Sequence, residues 1–417
     1  MKKELFRIII SENQEYIGNI PLVERPVKLE DNGNYVFVGV RQAGKSYLLY
    51  QRVQQMLRNG TRLEDIVYIN FDDERLLGMT ADDFDLILQA YHGLHGGSPV
   101  FFFDEIQNVD GWANFARRLA NLKYRVYVTG SNAKMLGRDV ATVLGGRYLD
   151  IKVFPYSFSE YLKAIGETPS GSWQYGRQAD KLQRLFRTYF EWGGFPESVS
   201  FHEKRVWLNS LYNRIFLNDL VVRHKIKNEN ALRLCVRHLA ESVMQPCSLN
   251  RLCNLVKSTG TPSSVSAIME YVRFLQDSCL LISLDNFASK PVEKETVKKH
   301  YFIDNGLLHL FLNNPETQLL ENLCAITLHK KYADELYYYS RNVEVDFYVP
   351  SEDLAVQSCY RMIDSETMAR EVKALVALNS LHPIKKAVIV TYEDEGRVER
   401  DGLQIEIVPV WKWVLED

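Results

Sequence analysis

Cysteine is scarce in this sequence: six residues in 417, at positions 235, 247, 253, 279, 324 and 359, with no C-x-x-C pair and no histidine at ligand spacing. That excludes a disulfide-stapled scaffold and a zinc ribbon, and predicts reduced thiols in a cytoplasmic protein. Long apolar runs are also missing. The chain opens with Met1-Lys2-Lys3, but the run behind it is only Ile8–Ile10, too short for a signal-peptide core. No stretch nears the ~20 apolar residues that cross a bilayer, so no membrane contact is expected. Nor does one sign of charge dominate: 50 Lys/Arg against 53 Asp/Glu leave −3, which excludes a histone-like polycation. Internal repeats and low-complexity segments are absent. What remains is 46% hydrophobic and 25% charged, an ordinary globular composition that supports roughly two to four domains.

The first half alternates buried-strand patterns with helical ones. Tyr35–Val38, Ile66–Phe71, Val100–Phe103 and Arg125–Val128 are short apolar runs, and between them Lys45–Leu57 and Trp112–Leu122 carry helical spacing. This order predicts an α/β class built on a parallel sheet covered on both faces. The pattern predicts a core over residues 1–153 and an aromatic, helical segment over 154–200 that closes on Gly193-Gly194-Phe195-Pro196. Over 201–303, Leu232–Val243, Leu249–Val256 and a helix begun by Thr261-Pro262-Ser263 precede strands at Cys279–Leu284 and Lys298–Ile303. Three helices followed by a hairpin is the order of a winged helix-turn-helix. Residues 304–417 read as α/β again, with a hairpin of Leu336–Tyr339 and Val343–Val349, strands at 354–360 and 387–391, and a helix at 366–378.

Gly39-Val40-Arg41-Gln42-Ala43-Gly44-Lys45-Ser46 fits G-x-x-x-x-G-K-[ST] at every fixed position, with a strand before it and a helix after it. Gly39 and Gly44 permit backbone angles that turn successive N–H groups toward phosphate oxygens, and the helix behind adds free donors. Lys45 is expected to neutralise the β- and γ-phosphates, and Ser46 to ligate Mg²⁺. Chance produces this pattern in about one chain of this length in a hundred, before the flanking strand and helix are counted. The cofactors predicted are therefore ATP and Mg²⁺.

Three further signals follow. Val100-Phe101-Phe102-Phe103-Asp104-Glu105 is an apolar strand ending in two carboxylates. Asp104 suits Mg²⁺ and Glu105 suits a base that polarises the attacking water, with Gln107 as an assistant. Thr129-Gly130-Ser131-Asn132 ends the next strand, where Asn132 or Ser131 is placed to sense the γ-phosphate; a capping turn accounts for these residues equally well. Gly145-Gly146-Arg147 sets a forked cation after a flexible turn, and Arg147 or Arg138 is a candidate arginine finger, in cis or across a subunit interface.

G-V-R-Q-A-G-K-S, F-F-F-D-E-I-Q, T-G-S-N, L-G-G-R, F-P-Y-S-F-S-E-Y and W-G-G-F-P-E occur in that order, followed by Tyr301–Gly306, Glu321-Asn322-Leu323 and Glu344–Phe347. Together they resemble the bacterial and archaeal AAA-superfamily ATPases that carry a C-terminal restriction-endonuclease-like domain of unknown function. The resemblance spans most of the chain, with only the first 30 residues weakly matched. It implies hydrolysis by Lys45, Ser46, Asp104 and Glu105 with Asn132 as sensor, and a lid turn, here Gly193–Pro196, near the adenine. Pattern and resemblance together give the expected division into an ATPase core (1–153), a helical lid (154–200), a winged helix (201–303) and a degenerate nuclease-like domain (304–417).

Residues 201–300 hold 15 Lys/Arg against 9 Asp/Glu, a local +6 in a chain of −3. Such a surplus fits a DNA-contacting surface, to which Ser263, Ser264, Ser266 and Arg273 on the third helix and Lys290, Lys294, Lys298 and Lys299 around the wing would contribute. Packing against a protein partner accounts for the module equally well. In the last domain Asp346, helped by Glu344 and Glu321, matches the first position of a nuclease site. Gln357 stands where its second carboxylate belongs and Cys359 where its lysine belongs, with Lys373 as a remote substitute. An amide holds Mg²⁺ weakly and a thiol carries no positive charge, so a metal-dependent nuclease is disfavoured. The expectation is an ATPase whose turnover drives or gates conformational change; the alternative is a slow nucleotide-controlled switch that binds DNA or protein. Monomer and homo-oligomer are both compatible with the sequence.

Overall fold

The computed structural model describes residues 2–136, 138–169, 171, 173–362 and 365–416, without the side chains of 134, 136, 138, 139 and 365. The chain divides into two units, Met1–Phe154 and Pro155–Asp417.

In the first unit, β1 (Tyr35–Val38), β2 (Ile66–Asn70), β3 (Val100–Asp104), β4 (Arg125–Gly130) and β5 (Leu149–Lys152) form one sheet in the order β2-β3-β4-β1-β5. Every pairing is parallel. β1 and β3 are buried along their whole length, as strands covered on both faces must be, and this is why they read as unbroken apolar runs. Helices α1 (Lys3–Ile17), α2 (Lys45–Arg58), α3 (Phe84–His92), α4 (Trp112–Asn121) and α5 (Arg138–Leu144) supply the cover. The first 30 residues, weakly patterned in sequence, belong to this unit. α1 buries Phe6, Ile9, Ile10 and Ile17 on one stripe. Its polar residues close the open edge of the sheet: Asn13 Nδ2 donates to the Tyr68 carbonyl at 3.1 Å, and Gln14 Nε2 to that of Ile66 at 2.9 Å. An edge strand whose carbonyls are taken offers no template for a second chain.

The second unit begins with α6 (Phe158–Ala164) and α7 (Gly176–Trp192), then α8 (Lys204–Arg214), which runs on through a π-helical stretch at Ile215–Val222. Next come α9 (Glu229–Glu241), β6 (Cys247–Ser248), α10 (Leu249–Ser258), α11 (Val265–Asp277), β7 (Leu281–Asp285), α12 (Pro291–Thr296) and β8 (Val297–Phe302). β6, β8 and β7 pair antiparallel in that order. The segment between β7 and β8 contains a short helix, started by Pro291 at its first position. After α13 (Asn305–His309) and α14 (Glu316–Tyr332), a six-stranded sheet is built from β9 (Tyr337–Ser340), β10 (Glu344–Val349), β11 (Leu354–Cys359), β12 (Lys386–Thr391), β13 (Gly396–Arg400) and β14 (Leu403–Pro409), with α15 (Ser365–Leu381) and α16 (Val410–Glu416).

Its order is β13-β14-β12-β11-β10-β9, parallel at β11–β12 and β12–β14 and antiparallel elsewhere. In β10 the alternate residues Val345, Phe347 and Val349 are buried, and Tyr348 is buried as well. The register shifts between Val345 and Tyr348, so strict alternation is broken there. Among the described residues no helix is long and apolar enough to cross a membrane, and all six cysteines are free.

Candidate functional site

The loop from Gly39 to Ser46 joins β1 to α2. Gln42 and Gly44 both take positive φ, 63° and 94°, which turns the intervening N–H groups inward. A Cβ on Gly39 would lie 2.0 Å from the Val153 carbonyl oxygen, so only glycine lets β5 continue alongside. Gly44 caps α2 without a side-chain acceptor, leaving the helix's first N–H groups and its dipole for an anion. Arg25, buried beneath the loop, donates to the carbonyls of Ala43 at 3.1 Å and Phe154 at 3.0 Å. The lysine of the motif is buried too: Lys45 Nζ donates to the Gly39 and Val40 carbonyls, both at 3.2 Å, and lies 3.4 Å from Glu105 Oε1.

β3 carries Asp104 and Glu105 to the same end of the sheet. β4 lies between β3 and β1, so Thr129 near its tip bridges the two acids. Its hydroxyl donates to Asp104 Oδ1 and accepts the Glu105 N–H at 2.9 Å. Tyr68 on β2 donates to Asp104 Oδ2 at 2.7 Å, and the Ser46 side chain also hydrogen-bonds this carboxylate. Burial, then the neighbouring Glu105 charge, pushes the Asp104 carboxyl up, and the three hydroxyls offset part of that rise. Burial alone would push Glu105 up as well, but Lys45, Gln107 and Arg41 hold it below the usual carboxylate range. Glu105 sits at a positive φ of 50°, a strained backbone that aims its side chain at Lys45. Gln107 Nε2 donates to its other oxygen.

The structure therefore brings Lys45, Ser46, Asp104, Glu105 and Gln107 together, with Ser131 and Asn132 following the tip of β4. Arg147 is elsewhere. It precedes β5, whose first residue pairs with Tyr35, the strand end remote from the phosphate loop. Its exposed guanidinium donates to Gly145 and its carbonyl accepts from Asn34. The Arg138 side chain lies outside the described residues. Tyr68, Thr129 and Arg25 escaped notice in the sequence, because a tyrosine inside an apolar strand reads as core.

The donor set fits a magnesium nucleotide. Ser46 and Asp104 already share a hydrogen bond, so a small hard cation held by both needs no rebuilding of the site. The loop cradle fits polyphosphate.

In the second unit the sequence motifs meet one another. Gly193 and Gly194, which follow α7, pack on Asp304: a Cβ on Gly193 would lie 2.0 Å from Asp304 Oδ1. Asn305 donates to the carbonyls of Phe190 and Leu319, and Asn322 donates to Asn305 Oδ1 while exchanging two bonds with the Phe302 backbone. Pro196 lies in the same turn and starts the short helix Glu197–Ser200.

The expected role of Lys299 is overturned. Rather than standing on a wing surface, its side chain is fully buried, with Nζ 2.9 Å from Glu344 and 3.2 Å from both Glu321 and Asp346. Burial alone would depress this ammonium, but the three carboxylates outweigh it and push its pKa up. Gln357 accepts the Asp346 N–H at 2.7 Å and donates to Glu371 at 2.7 Å, while Ser358 donates twice to Asp346. Glu321, Glu344, Asp346, Gln357 and Glu371 line a cavity of about 670 Å³, to which Lys373 also contributes. Every carboxylate is thus engaged by the protein itself, and no group of three or more His, Cys, Asp or Glu among the described residues is arranged to hold a metal.

A family model described as an AAA domain matches residues 31–162, and one described as a domain of unknown function (DUF8612) matches 183–318. The chain is 32% identical over 434 residues to an uncharacterized protein, MJ1544, of Methanocaldococcus jannaschii, an alignment that covers 99% of this chain and 96% of that one. An uncharacterized protein of Haemophilus influenzae is 28% identical over 397 residues, covering 91% of this chain and 94% of its own. Among solved structures, Cdc6p from Pyrobaculum aerophilum aligns with 78% of this chain and 93% of its own at 13% identity, with a TM-score of 0.27, a likeness that carries no argument.

Proposed function

We propose, for a chain that belongs to the AAA-superfamily P-loop ATPases, that it binds Mg-ATP on the Gly39–Ser46 loop and hydrolyses it, turnover driving or gating conformational change. The observation that carries this reading is the pairing of Glu105 with Lys45 at 3.4 Å, beside an Asp104 bonded to Ser46. When ATP binds, its phosphates compete for Lys45, and the freed Glu105 carboxylate becomes the base nearest the terminal phosphate. Ser46 and Asp104 would hold magnesium, which would supply charge neutralisation for the phosphates. Asn132 is the proposed sensor. Arg147, remote from its own loop, is proposed as a finger only toward a second copy. Glu105→Gln tests the reading: steady-state turnover should fall by at least about 100-fold with nucleotide binding retained. Equal turnover in both proteins would end the case for a motor.

We further propose that α9–α11 with β7 and β8 form a winged helix that contacts DNA. The local charge of +6 supports this, as does the exposure of Arg251, Lys257, Arg273 and Lys290. Ser264 is committed to capping α11, and Lys299 is removed from the contact set. The 304–417 region is proposed as a nuclease-like domain without catalysis, since Lys299 fills its carboxylate cluster. Binding to labelled duplex DNA across a salt series tests the contact: affinity independent of salt would exclude a phosphate-reading surface.

A further inference from the structure

Among the described residues, two buried oxygens at the catalytic end of the first unit have no partner: Gln107 Oε1 and Ser131 Oγ. Buried polar atoms are rarely left unpaired, and each such atom asks for a guest. Both stand at the tip of β4. A Cβ on Gly130 would meet Gln107 Oε1 at 2.4 Å, and Ser131 is the next residue. The direction of the Gln107 amide is set by its neighbour. A carboxylate only accepts, so Nε2 must face Glu105, and this turns Oε1 toward Gly130. Gly130 therefore makes room for the amide and for Met135, whose Sδ a Cβ there would meet at 1.9 Å.

We propose that Gln107 is a catalytic residue of ATP hydrolysis, which accepts one hydrogen of the attacking water on Oε1 while its Nε2 holds Glu105. The proposal rests on the ATPase reading above. In the reaction the water oxygen forms a bond to the terminal phosphorus. The bond from that phosphorus to its bridging oxygen breaks, its electron pair leaves on ADP, and the proton lost by water passes to the Glu105 carboxylate. One acceptor alone leaves the water free to rotate about a single hydrogen bond. A second acceptor fixes the remaining hydrogen and aims the lone pair at phosphorus, which is the entropic part of the barrier. Glu105 is the first acceptor and Gln107 Oε1 the second. The same amide keeps Glu105 in place once Lys45 turns to phosphate.

The test uses the full chain with Gln107→Leu, which keeps the bulk of the side chain and removes both amide functions. Turnover is measured beside the dissociation constant of a fluorescent ATP analogue, mant-ATP. The expected result is a fall in kcat of about 10- to 100-fold, with KM and mant-ATP affinity within about twofold of wild type. An unchanged kcat overturns the proposal, and so does a loss of mant-ATP affinity that parallels the loss of rate, since that marks a merely structural residue. Equal turnover by wild type and Glu105→Gln overturns the reading of Glu105 as base, and with it the motor, and it is seen with Gln107 untouched.

Discussion

Asp304 Oδ2 accepts the backbone N–H of Gly194 at 2.7 Å, joining segments 110 residues apart. Its other oxygen accepts the N–H groups of Gly306 and Leu307. One buried carboxylate is thus satisfied by three backbone donors, and burial pushes its pKa up to about 6. Asp304→Ala strands all three donors and should destabilise the protein by about 3–5 kcal/mol. Gly193→Ala, at φ +73° with its Cβ against Asp304, should lower the thermal midpoint as well. Asp304→Asn keeps one acceptor and should lose less than Asp304→Ala. A wild-type melt for Asp304→Ala would show that this junction does not hold the unit together.

The ATPase half was legible because its signals are local. A fixed spacing marks the loop, and an apolar strand ending in Asp104-Glu105 marks the second site. The second half was less legible because its important contacts are distant in sequence. Lys298-Lys299 reads as a basic pair on a strand, and nothing nearby shows that the second faces Glu321 on a helix not yet reached. That helix, α14, went unplaced because Leu319 through Ala325 are all buried; a helix enclosed on every side has no polar stripe to reveal its period. The loss of the nuclease pattern at Gln357 and Cys359 was readable. The lysine that fills the cluster was not.

Thr129 tests how tightly the acid pair is held. Its hydroxyl donates to Asp104 and accepts from the Glu105 backbone, so it orients the carboxylate proposed to hold Mg²⁺. Thr129→Val keeps the shape and removes both bonds. The Mg²⁺ concentration for half-maximal turnover should rise about 10-fold, while mant-ATP binding without metal stays at its wild-type value. An unchanged Mg²⁺ requirement would mean that Tyr68 and Ser46 alone fix Asp104.

Lys298 and Lys299, adjacent in β8, should behave oppositely. Lys298 pairs with Asp285 at 2.7 Å and remains partly exposed. Lys298→Glu should leave the melt nearly unchanged and weaken DNA binding most strongly at low salt. Lys299→Met removes the one cation from three carboxylates and should cost about 3–5 kcal/mol, whatever DNA does. A Lys299→Met protein that melts like wild type would refute the central role given to this ammonium.

The same cluster sets a pH dependence. Burial, reinforced by Asp346, raises Glu321 to about 7, with Lys299 and Tyr301 offsetting only part of the rise. In the unfolded chain the group titrates near the usual value of about 4.3. Between these two values the folded state holds a proton that the unfolded state has lost, so stability falls as pH rises through the window. The contribution is fully present below about 4.3 and is gone above about 7. His300, depressed by burial to about 4, acts in the opposite sense, so the wild-type curve alone cannot isolate Glu321. The difference between wild type and Glu321→Gln does, because the amide mimics the protonated acid at every pH. Thermal midpoints of the two proteins should lie closest near pH 4.5 and diverge toward pH 7.5, with wild type losing more. Parallel curves across that range would place the Glu321 proton outside the folding equilibrium.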